Sequence, residues 1–310
     1  MAKKNEGRSF SWGIAIVIIV ALFLVSSCVA ALVSLMSADG QDYSSSSGNV
    51  AIIPIKGTIT TQGQGGLWQD ESASSEDIVA LIAQAKENPR IKAVIFEINS
   101  PGGSAVASDE ISHAIEGLGK PSVAWIREVG ASGGYWVAAS TDHIVANRMS
   151  ITGSIGVIGS YLEYADLLDR FNVTYRRLVA GDRKDTGTPY RRLEPDEELL
   201  IQQKIDVIYS YFVEHVAQRR NLSEAEVTRL ADGFILLGVE AYDAGLVDEL
   251  GGLDEAKAYL KERIGEDVTT VSYERKSSLI DLLGGIVSDH GFATGEGLAS
   301  GLRRDTGIRI

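Results

Sequence analysis

The sequence predicts an α/β protein built on a largely parallel β-sheet. Two short apolar runs, VAIIPI at 50–55 and IKAVIFEI at 91–98, flank a segment with helical periodicity at 74–89. Helix-like and strand-like segments keep alternating after this point, which is typical of parallel sheets with helices on their faces. The strand-like runs are almost continuously apolar, as expected for strands that are covered on both sides.

The remaining elements follow from periodicity and from capping residues. The first helix has Ser74 or Ser75 as its N-cap and stops at Asn88-Pro89. We expect the other elements at these positions: helices at 105–118, from Gly133, at 196–220 and at 253–263, and strands at 122–128, 144–147 and 174–179.

Composition and charge exclude some classes of protein. The 310 residues are 45% hydrophobic and 23% charged, as in globular proteins. The net charge of −13 argues against a nucleic-acid partner, because phosphate binding needs a basic surface. With Cys28 as the one cysteine, no intramolecular disulfide and no cysteine-based zinc site can form. No histidine has a paired metal-ligand spacing, so we expect neither a metal nor another cofactor.

The N-terminal part of the chain predicts a membrane anchor. Residues 13–36 carry no charge, and at about 1.5 Å per residue a helix of this length spans the roughly 30 Å hydrocarbon core. Lys3, Lys4 and Arg8 precede the run, which places residues 1–12 in the cytoplasm and the rest of the chain outside. The predicted protein is therefore a single-pass protein of the cell membrane.

Two alternatives to an uncut anchor exist. A cleaved signal peptide would have a shorter apolar core, and Val25–Cys28 faintly resembles a lipoprotein processing box. The apolar run continues past Cys28 to Met36, which favours the anchor. In each case the domain is exported. We expect a flexible Ser/Gly-rich linker at 37–49, one domain at 50–283 and a flexible, Gly-rich tail at 284–310.

Three glycine-rich loops follow strand-like segments, at 99–104, 130–135 and 152–157. In parallel α/β folds, sites form from loops at the carboxyl ends of strands. The second loop puts Ser132 at the entry of a helix, where unpaired backbone N–H groups can stabilise an oxyanion. Gly133 supplies one such group, and Gly102 or Gly103 of the first loop supplies a second. By itself, each of these loops is also typical of an ordinary tight turn.

A nucleophilic serine needs a base. His143 follows Asp142, but neighbours on a strand point to opposite faces, so no Ser–His–Asp set is convincing. A lysine can serve if it is neutral, which requires its pKa to fall from about 10.4. Lys184, in the loop GDRKDTGTPY, is a candidate, although composition alone favours a solvated loop lysine.

Together, these segments resemble the signal peptide peptidase A family in its short single-repeat form. The similarity covers residues 50 to about 260, through VAIIPIKGTI, INSPGGS, GASGGYWVAAS, ITGSIGVIG, AGDRKDTGTPYRRLEPDE and GVEAYDAGLVDELGGLDEA. Order and spacing agree over the whole set. One local departure is Asp182-Arg183, where the family leads us to expect less charged neighbours of the lysine.

The resemblance implies a fold, a site and a function. The fold would be that of the ClpP proteases and crotonases, with parallel sheet layers and flanking helices. Ser132 would be the nucleophile, Lys184 the general base and Ser154 the residue that orients the lysine. Gly133, Gly102 and Gly103 would form the oxyanion hole.

The same resemblance implies a homo-oligomer. Because the predicted anchor holds the enzyme at the membrane, we expect its substrates to be remnant signal peptides or other hydrophobic peptides released there. The bilayer would contact residues 13–36. Two other functions remain open: a crotonase-like acyl-CoA enzyme, which an exported location disfavours, and a catalytically inactive scaffold at the membrane.

Overall fold

The computed structural model describes residues 20–24, 26–27, 48–62 and 72–274. Residues 20–24 and 26–27 are helical. Within the described ranges, no helix combines the length and the apolar character needed to cross a bilayer. Most of the predicted anchor at 13–36, most of the linker at 37–49 and the whole tail at 284–310 lie outside the described residues.

The described domain has a mixed α/β architecture, as predicted, with a sheet whose strands are parallel except for one antiparallel pair. The strands are β1 (Val50–Lys56), β2 (Thr58–Thr60), β3 (Ser72–Ser74), β4 (Ala93–Ser100), β5 (Ser122–Ala131), β6 (His143–Ala146), β7 (Ile151–Gly153), β8 (Ile235–Leu237), β9 (Glu249–Leu250) and β10 (Thr270–Ser272).

The order across the main sheet is β10-β1-β4-β5-β6-β9. Strand β7 pairs with the carboxyl end of β5, and β8 pairs antiparallel with β7. Strands β2 and β3 form a separate pair.

Helices cover the sheet and connect its strands, which makes the parallel pairing possible. They are α1 (Ser75–Glu87), α2 (Ala105–Glu116), α3 (Gly133–Ala139), α4 (Ala165–Arg170), α5 (Pro195–Arg220), α6 (Glu224–Leu230), α7 (Gly238–Asp243) and α8 (Leu253–Ile264).

The first helix begins and ends where the sequence predicts. The Ser74 hydroxyl accepts a hydrogen bond from the Asp77 amide at 3.3 Å and caps the helix. At the other end, Asn88 is the C-cap and Pro89 follows it. Helices α2, α5 and α8 also lie within two residues of their predicted bounds.

The core lies on both sides of β4 and β5. On one face, Ile95 and Val123 pack with Ala256 and Leu260 of α8. Because successive side chains of a strand point to opposite faces, Phe96 lies on the other side, where α3 packs against both strands. Burial of both faces explains why these strands are continuously apolar in sequence.

The prediction of a strand at 174–179 was wrong. Residues 171–194 contain no helix or strand in the structure. A strand needs a neighbouring ladder and at least one covered face, yet Leu178 is 97% exposed and Tyr175 is also exposed. The apolar side chains that favoured a strand here therefore lack the cover that a strand needs.

Candidate functional site

The sheet brings the three glycine-rich loops together. Strands β4 and β5 are parallel neighbours, and Ser100 is paired with Gly130 at their carboxyl ends. Strand β7 continues the pairing, with Ala131 opposite Gly153. The loops that follow these strands therefore meet at one edge of the sheet, as the sequence predicts.

Ser132 occupies a strained turn between β5 and α3. Its backbone has φ 52° and ψ −123°, a conformation that non-glycine residues rarely adopt. The turn is fixed from both sides: the Ser132 amide donates to the Gly153 carbonyl at 2.9 Å, and the Ser132 carbonyl accepts from the Tyr135 and Trp136 amides, each at 2.9 Å. The surroundings therefore determine the direction of the side chain.

The Ser132 hydroxyl is available for chemistry. Ser132 is the N-cap residue of α3, but its side chain does not cap the helix. The residue is half-buried, and its hydroxyl forms no hydrogen bond with any residue that the structure describes. A serine at a strained helix entry with an unused hydroxyl fits the geometry of a nucleophile.

Gly102 lets the first loop lie directly against this turn. It has φ +95°, and a β-carbon added to it would stand 2.5 Å from the Gly133 nitrogen and 2.9 Å from the Ser132 β-carbon. Any larger residue would separate the two loops. The predicted oxyanion glycines, Gly102, Gly103 and Gly133, are thus neighbours of Ser132.

The hydrogen bonds distinguish between the two glycines of the first loop. The Gly102 amide donates to the Ser100 hydroxyl at 3.1 Å, and the Gly102 carbonyl accepts from the Ile59 amide at 2.9 Å. The amides of Gly103 and Gly133 have no acceptor among the described residues. These two N–H groups are therefore the free donors beside Ser132, and Gly102 contributes the close approach.

Ser100 is a site residue whose role the sequence did not indicate. It is fully buried, and its hydroxyl donates to the Gly57 carbonyl at 2.6 Å while accepting the Gly102 amide. It thereby fixes the first loop to the end of β1. Its position in the first glycine-rich loop could have indicated a role at the site, but a serine before Pro-Gly-Gly is also common in simple turns.

Ser154 follows β7 and has a positive φ of 50°. Its hydroxyl donates to the Gly233 carbonyl at 3.1 Å, and its amide donates to the Phe234 carbonyl at 3.0 Å. The structure therefore places Ser154 in the third loop, near the Ser132 turn. It contains no bond between Ser154 and Lys184 among the described residues, so the orienting role stays a prediction.

Lys184 lies in an exposed turn, and the structure does not join it to Ser132. Its amide donates to the Gly181 carbonyl at 3.1 Å. Its ammonium group forms no hydrogen bond or ion pair with any described residue. The flanking residues, in contrast, are tightly fixed: Asp185 and Thr186 are bonded to Arg191 and to Glu197 of α5.

The three histidines that the structure describes do not offer an alternative base, and His290 lies outside the described residues. His143 is 3.3 Å from Glu249 and stacks on Tyr259, and the ring nitrogen Nε2 of His215 is 3.1 Å from the Trp136 carbonyl. Burial lowers the pKa of His215. His113 is exposed on α2. None contacts Ser132, and residues 48–62 and 72–274 contain no cluster that could bind a metal ion.

Comparison with known proteins places these features in a family. The model described as Peptidase family S49 matches residues 115–267. The Methanocaldococcus jannaschii protein named "Putative protease MJ0651" is 32% identical over 253 residues, which cover 80% of this chain and 81% of that protein. "Putative signal peptide peptidase SppA" of Enterococcus faecium is 33% identical over 230 residues, covering 73% and 67%.

Longer relatives match over part of their length. "Protease 4" of Haemophilus influenzae is 33% identical over 210 residues, which cover 67% of this chain and 33% of that protein. Among solved structures, a variant of the membrane-bound stomatin-specific protease 1510-N is 15% identical with a TM-score of 0.44, covering 74% of this chain and 95% of the other. The sequence matches along the chain lead to one conclusion: this protein belongs to peptidase family S49 and is a serine protease.

Proposed function

We propose that the protein is an endopeptidase acting by acyl transfer, with Ser132 as nucleophile and Lys184 as general base. The observation that carries this proposal is the Ser132 turn: an unused hydroxyl beside the free amides of Gly103 and Gly133. The order of the parallel strands and the converging loops also support the ClpP/crotonase type of fold that the family resemblance implies.

The proposed reaction follows from these groups. Neutral Lys184 takes the proton of the Ser132 hydroxyl, and the serine oxygen attacks the scissile carbonyl. The amides of Gly103 and Gly133 donate to the resulting oxyanion, and each such donor is typically worth about 10²–10³ in rate. As the peptide bond breaks, the leaving amine takes a proton from Lys184. Lys184 then activates the water that hydrolyses the acyl-enzyme.

This mechanism requires the Lys184 turn to approach a Ser132 turn, and we propose that a homo-oligomer provides the arrangement. The segment 158–184, which carries Lys184, exposes large apolar side chains, including Ile158, Leu162, Phe171 and Leu178. Contiguous exposed apolar surface marks interaction sites in soluble domains. Self-association would cover this surface and remove water from around the lysine, which favours its neutral form.

The test uses the full chain and fluorogenic peptide substrates. Ser132→Ala and Lys184→Ala should each abolish cleavage, and both variants should keep the circular dichroism spectrum of the parent chain. Full activity in either variant contradicts the dyad. Mixing the two inactive variants under conditions of subunit exchange then assigns the lysine: recovered activity means that a neighbouring chain supplies it, and continued inactivity means that the same chain does.

We also propose where the enzyme works and what it cleaves. Residues 13–36 anchor it in the cell membrane with residues 1–12 in the cytoplasm, and the catalytic domain lies outside. Its substrates are hydrophobic peptides released in the membrane, such as remnant signal peptides. Protease digestion of intact cells tests the topology: the domain should be degraded without lysis, and protection until lysis would contradict the proposal.

A further inference from the structure

A compact ion network lies directly beside the Lys184 turn. It consists of two arginines and two carboxylates: Arg177, Asp185, Arg191 and Glu197. Glu197 belongs to the first turn of α5 and is only 4% exposed. A nearly buried carboxylate of this kind is kept only when it is paired and hydrogen-bonded.

Arg191 is the centre of the network. Its two terminal nitrogens donate to the two oxygens of Glu197, each at 2.7 Å. The same guanidinium donates to Asp185 from Nε at 3.3 Å and from Nη2 at 3.2 Å. Such forked arginine–carboxylate pairs combine strength with a defined geometry.

The network fixes both residues that follow Lys184. Asp185 also accepts from Arg177, at 2.7 and 2.8 Å. The Thr186 hydroxyl donates to Glu197 at 2.7 Å. The backbone at Lys184 is therefore tied to the start of α5, while its ammonium group remains without a partner among the described residues.

The four charges of the network cancel. Hydrogen bonds from Arg177 and Arg191 keep the pKa of Asp185 well below its usual range, and Arg191 together with Thr186 lowers the pKa of Glu197 to about 2. Both carboxylates are therefore ionised across the range in which a lysine base would operate, and each is balanced by an arginine.

The turn itself carries two further charged residues. Asp182 and Arg183 precede the lysine, and Arg183 pairs with Asp196 at 3.0 Å. Asp182 is therefore the carboxylate of the turn that lacks an arginine bond to its side chain among the described residues. With Asp185 and Glu197 balanced, the local surplus of negative charge stays small.

We propose that Arg191 is a positioning residue for Lys184, which fixes the turn and balances the carboxylates that would otherwise keep the lysine protonated. This inference rests on the proposed role of Lys184 as the base. Without Arg191, Glu197 would have no cationic partner among the described residues, and Asp185 would retain only Arg177. Uncompensated carboxylates favour the charged form of a neighbouring amine.

The test measures the amine of Lys184 directly. The full chain is treated with acetic anhydride over a series of pH values, and acetylation of Lys184 is followed by mass spectrometry relative to the exposed Lys204 of α5 in the same molecule. Only the neutral amine reacts. Arg191→Gln should slow labelling of Lys184 at a fixed pH by about two- to fivefold, as expected when one nearby carboxylate loses its cation in partly solvated surroundings.

Two further variants distinguish an effect of charge on Lys184 from a general loosening of the structure. Glu197→Gln removes a negative charge and leaves Arg191 in place, so labelling should become faster. Arg191→Lys keeps the charge and should restore most of the parental rate. Arg192→Gln is the matched control, because Arg192 pairs with the exposed Asp166 outside the network, and it should leave the rate unchanged.

A general structural loosening would move Arg191→Gln and Glu197→Gln in the same direction, and that result would overturn the proposal, as would equal rates in all variants. If Arg191→Gln fails to fold, the other two variants still decide it: Glu197→Gln should label faster than the parent and Arg191→Lys at close to the parental rate, and a slower or unchanged rate in Glu197→Gln would overturn the proposal. In Arg191→Gln, the pH profile of kcat/KM should shift to higher pH by the amount that corresponds to this change in labelling rate. Because labelling does not depend on catalysis, an active Lys184→Ala enzyme would refute the base while leaving this result interpretable.

Discussion

Gly102 lies so close to Gly133 that a β-carbon on Gly102 would stand 2.5 Å from the Gly133 amide nitrogen. The contact joins the loop after β4 to the first residue of α3, and it sets the spacing between the free amides of Gly103 and Gly133. The two loops therefore act as one unit whose geometry depends on the absence of a side chain at residue 102.

Replacing Gly102 with alanine should separate these loops. The residue has φ +95°, and the added carbon would meet backbone that cannot move independently of Ser132. We expect a loss of about 1–3 kcal/mol in the free energy of unfolding and a fall in kcat of about 10²-fold. Urea denaturation and steady-state peptide cleavage measure the two effects.

Gly119→Ala is the matched control for this substitution. Gly119 also has a positive φ, +69°, but a β-carbon there meets nothing within 4 Å, and the residue precedes β5 at the opposite end from Ser132. It should lose about 1–2 kcal/mol of stability and keep its kcat. Equal kcat losses in the two variants would show that backbone strain alone, and not the contact with Gly133, explains the effect.

Ser100→Ala tests how the first loop is held in place. The substitution leaves the buried Gly102 amide and the half-buried Gly57 carbonyl without their partner. We expect a loss of about 1–3 kcal/mol in unfolding free energy and at least about a tenfold fall in kcat with little change in KM.

The control for Ser100 is Ser223→Ala, which removes the N-cap hydroxyl of α6. It should lose about 1 kcal/mol of stability without a change in kcat. An unchanged kcat in Ser100→Ala would mean that the loop keeps its position without this hydroxyl.

His215 makes stability depend on pH. Burial is the main cause that lowers its pKa in the folded chain, where the ring stacks on Trp136 with the centroids 5.0 Å apart. The unfolded chain, with an ordinary histidine pKa near 6.5, binds a proton that the folded chain does not bind. Stability is therefore fully present above about pH 6.5 and falls as the pH drops below it, by at most about 1.4 kcal/mol per pH unit.

Urea denaturation of the parent chain and of His215→Gln between pH 8 and pH 5 measures this effect. The glutamine keeps a donor for the Trp136 carbonyl but does not titrate, so the stability of the parent should fall relative to the variant as the solution is acidified. His113→Gln, on the exposed surface of α2, should keep the acid sensitivity of the parent. Parallel pH curves for the parent and His215→Gln would contradict the prediction.

Much of the fold could be predicted from the sequence because its signals are local. The cap at Ser74, the stop at Asn88 and the apolar runs of β1 and β4 each depend on residues within a few positions of one another. The segment at 171–194 could not be predicted in this way. Its β-prone residues, such as Tyr175 and Val179, favour a strand locally, but a strand also needs a hydrogen-bonded neighbour, and the local sequence does not show whether one is present.

Some parts of the candidate site could be predicted from the sequence, and others could not. Ser132, Gly102, Gly103 and Gly133 lie on loops whose meeting follows from parallel pairing of β4 and β5. Gly102 and Gly103 have different roles because the Ser100 hydroxyl accepts the Gly102 amide and leaves the Gly103 amide free. No sequence pattern indicates a hydrogen bond of that kind. The link from Arg191 to Glu197 and Asp185 spans a turn without regular structure, so no periodicity indicates it.

The proposed mechanism requires Lys184 to take the proton of Ser132, so the distance between Lys184 Nζ and Ser132 Oγ in the assembled protein decides whether the dyad exists. An experimental structure of the full chain, with a peptide aldehyde bound to the serine, measures that distance. The two atoms should lie within hydrogen-bond reach, about 2.6–3.2 Å, or be bridged by one water. A lysine that points away from every Ser132 in that assembly would contradict the proposed mechanism.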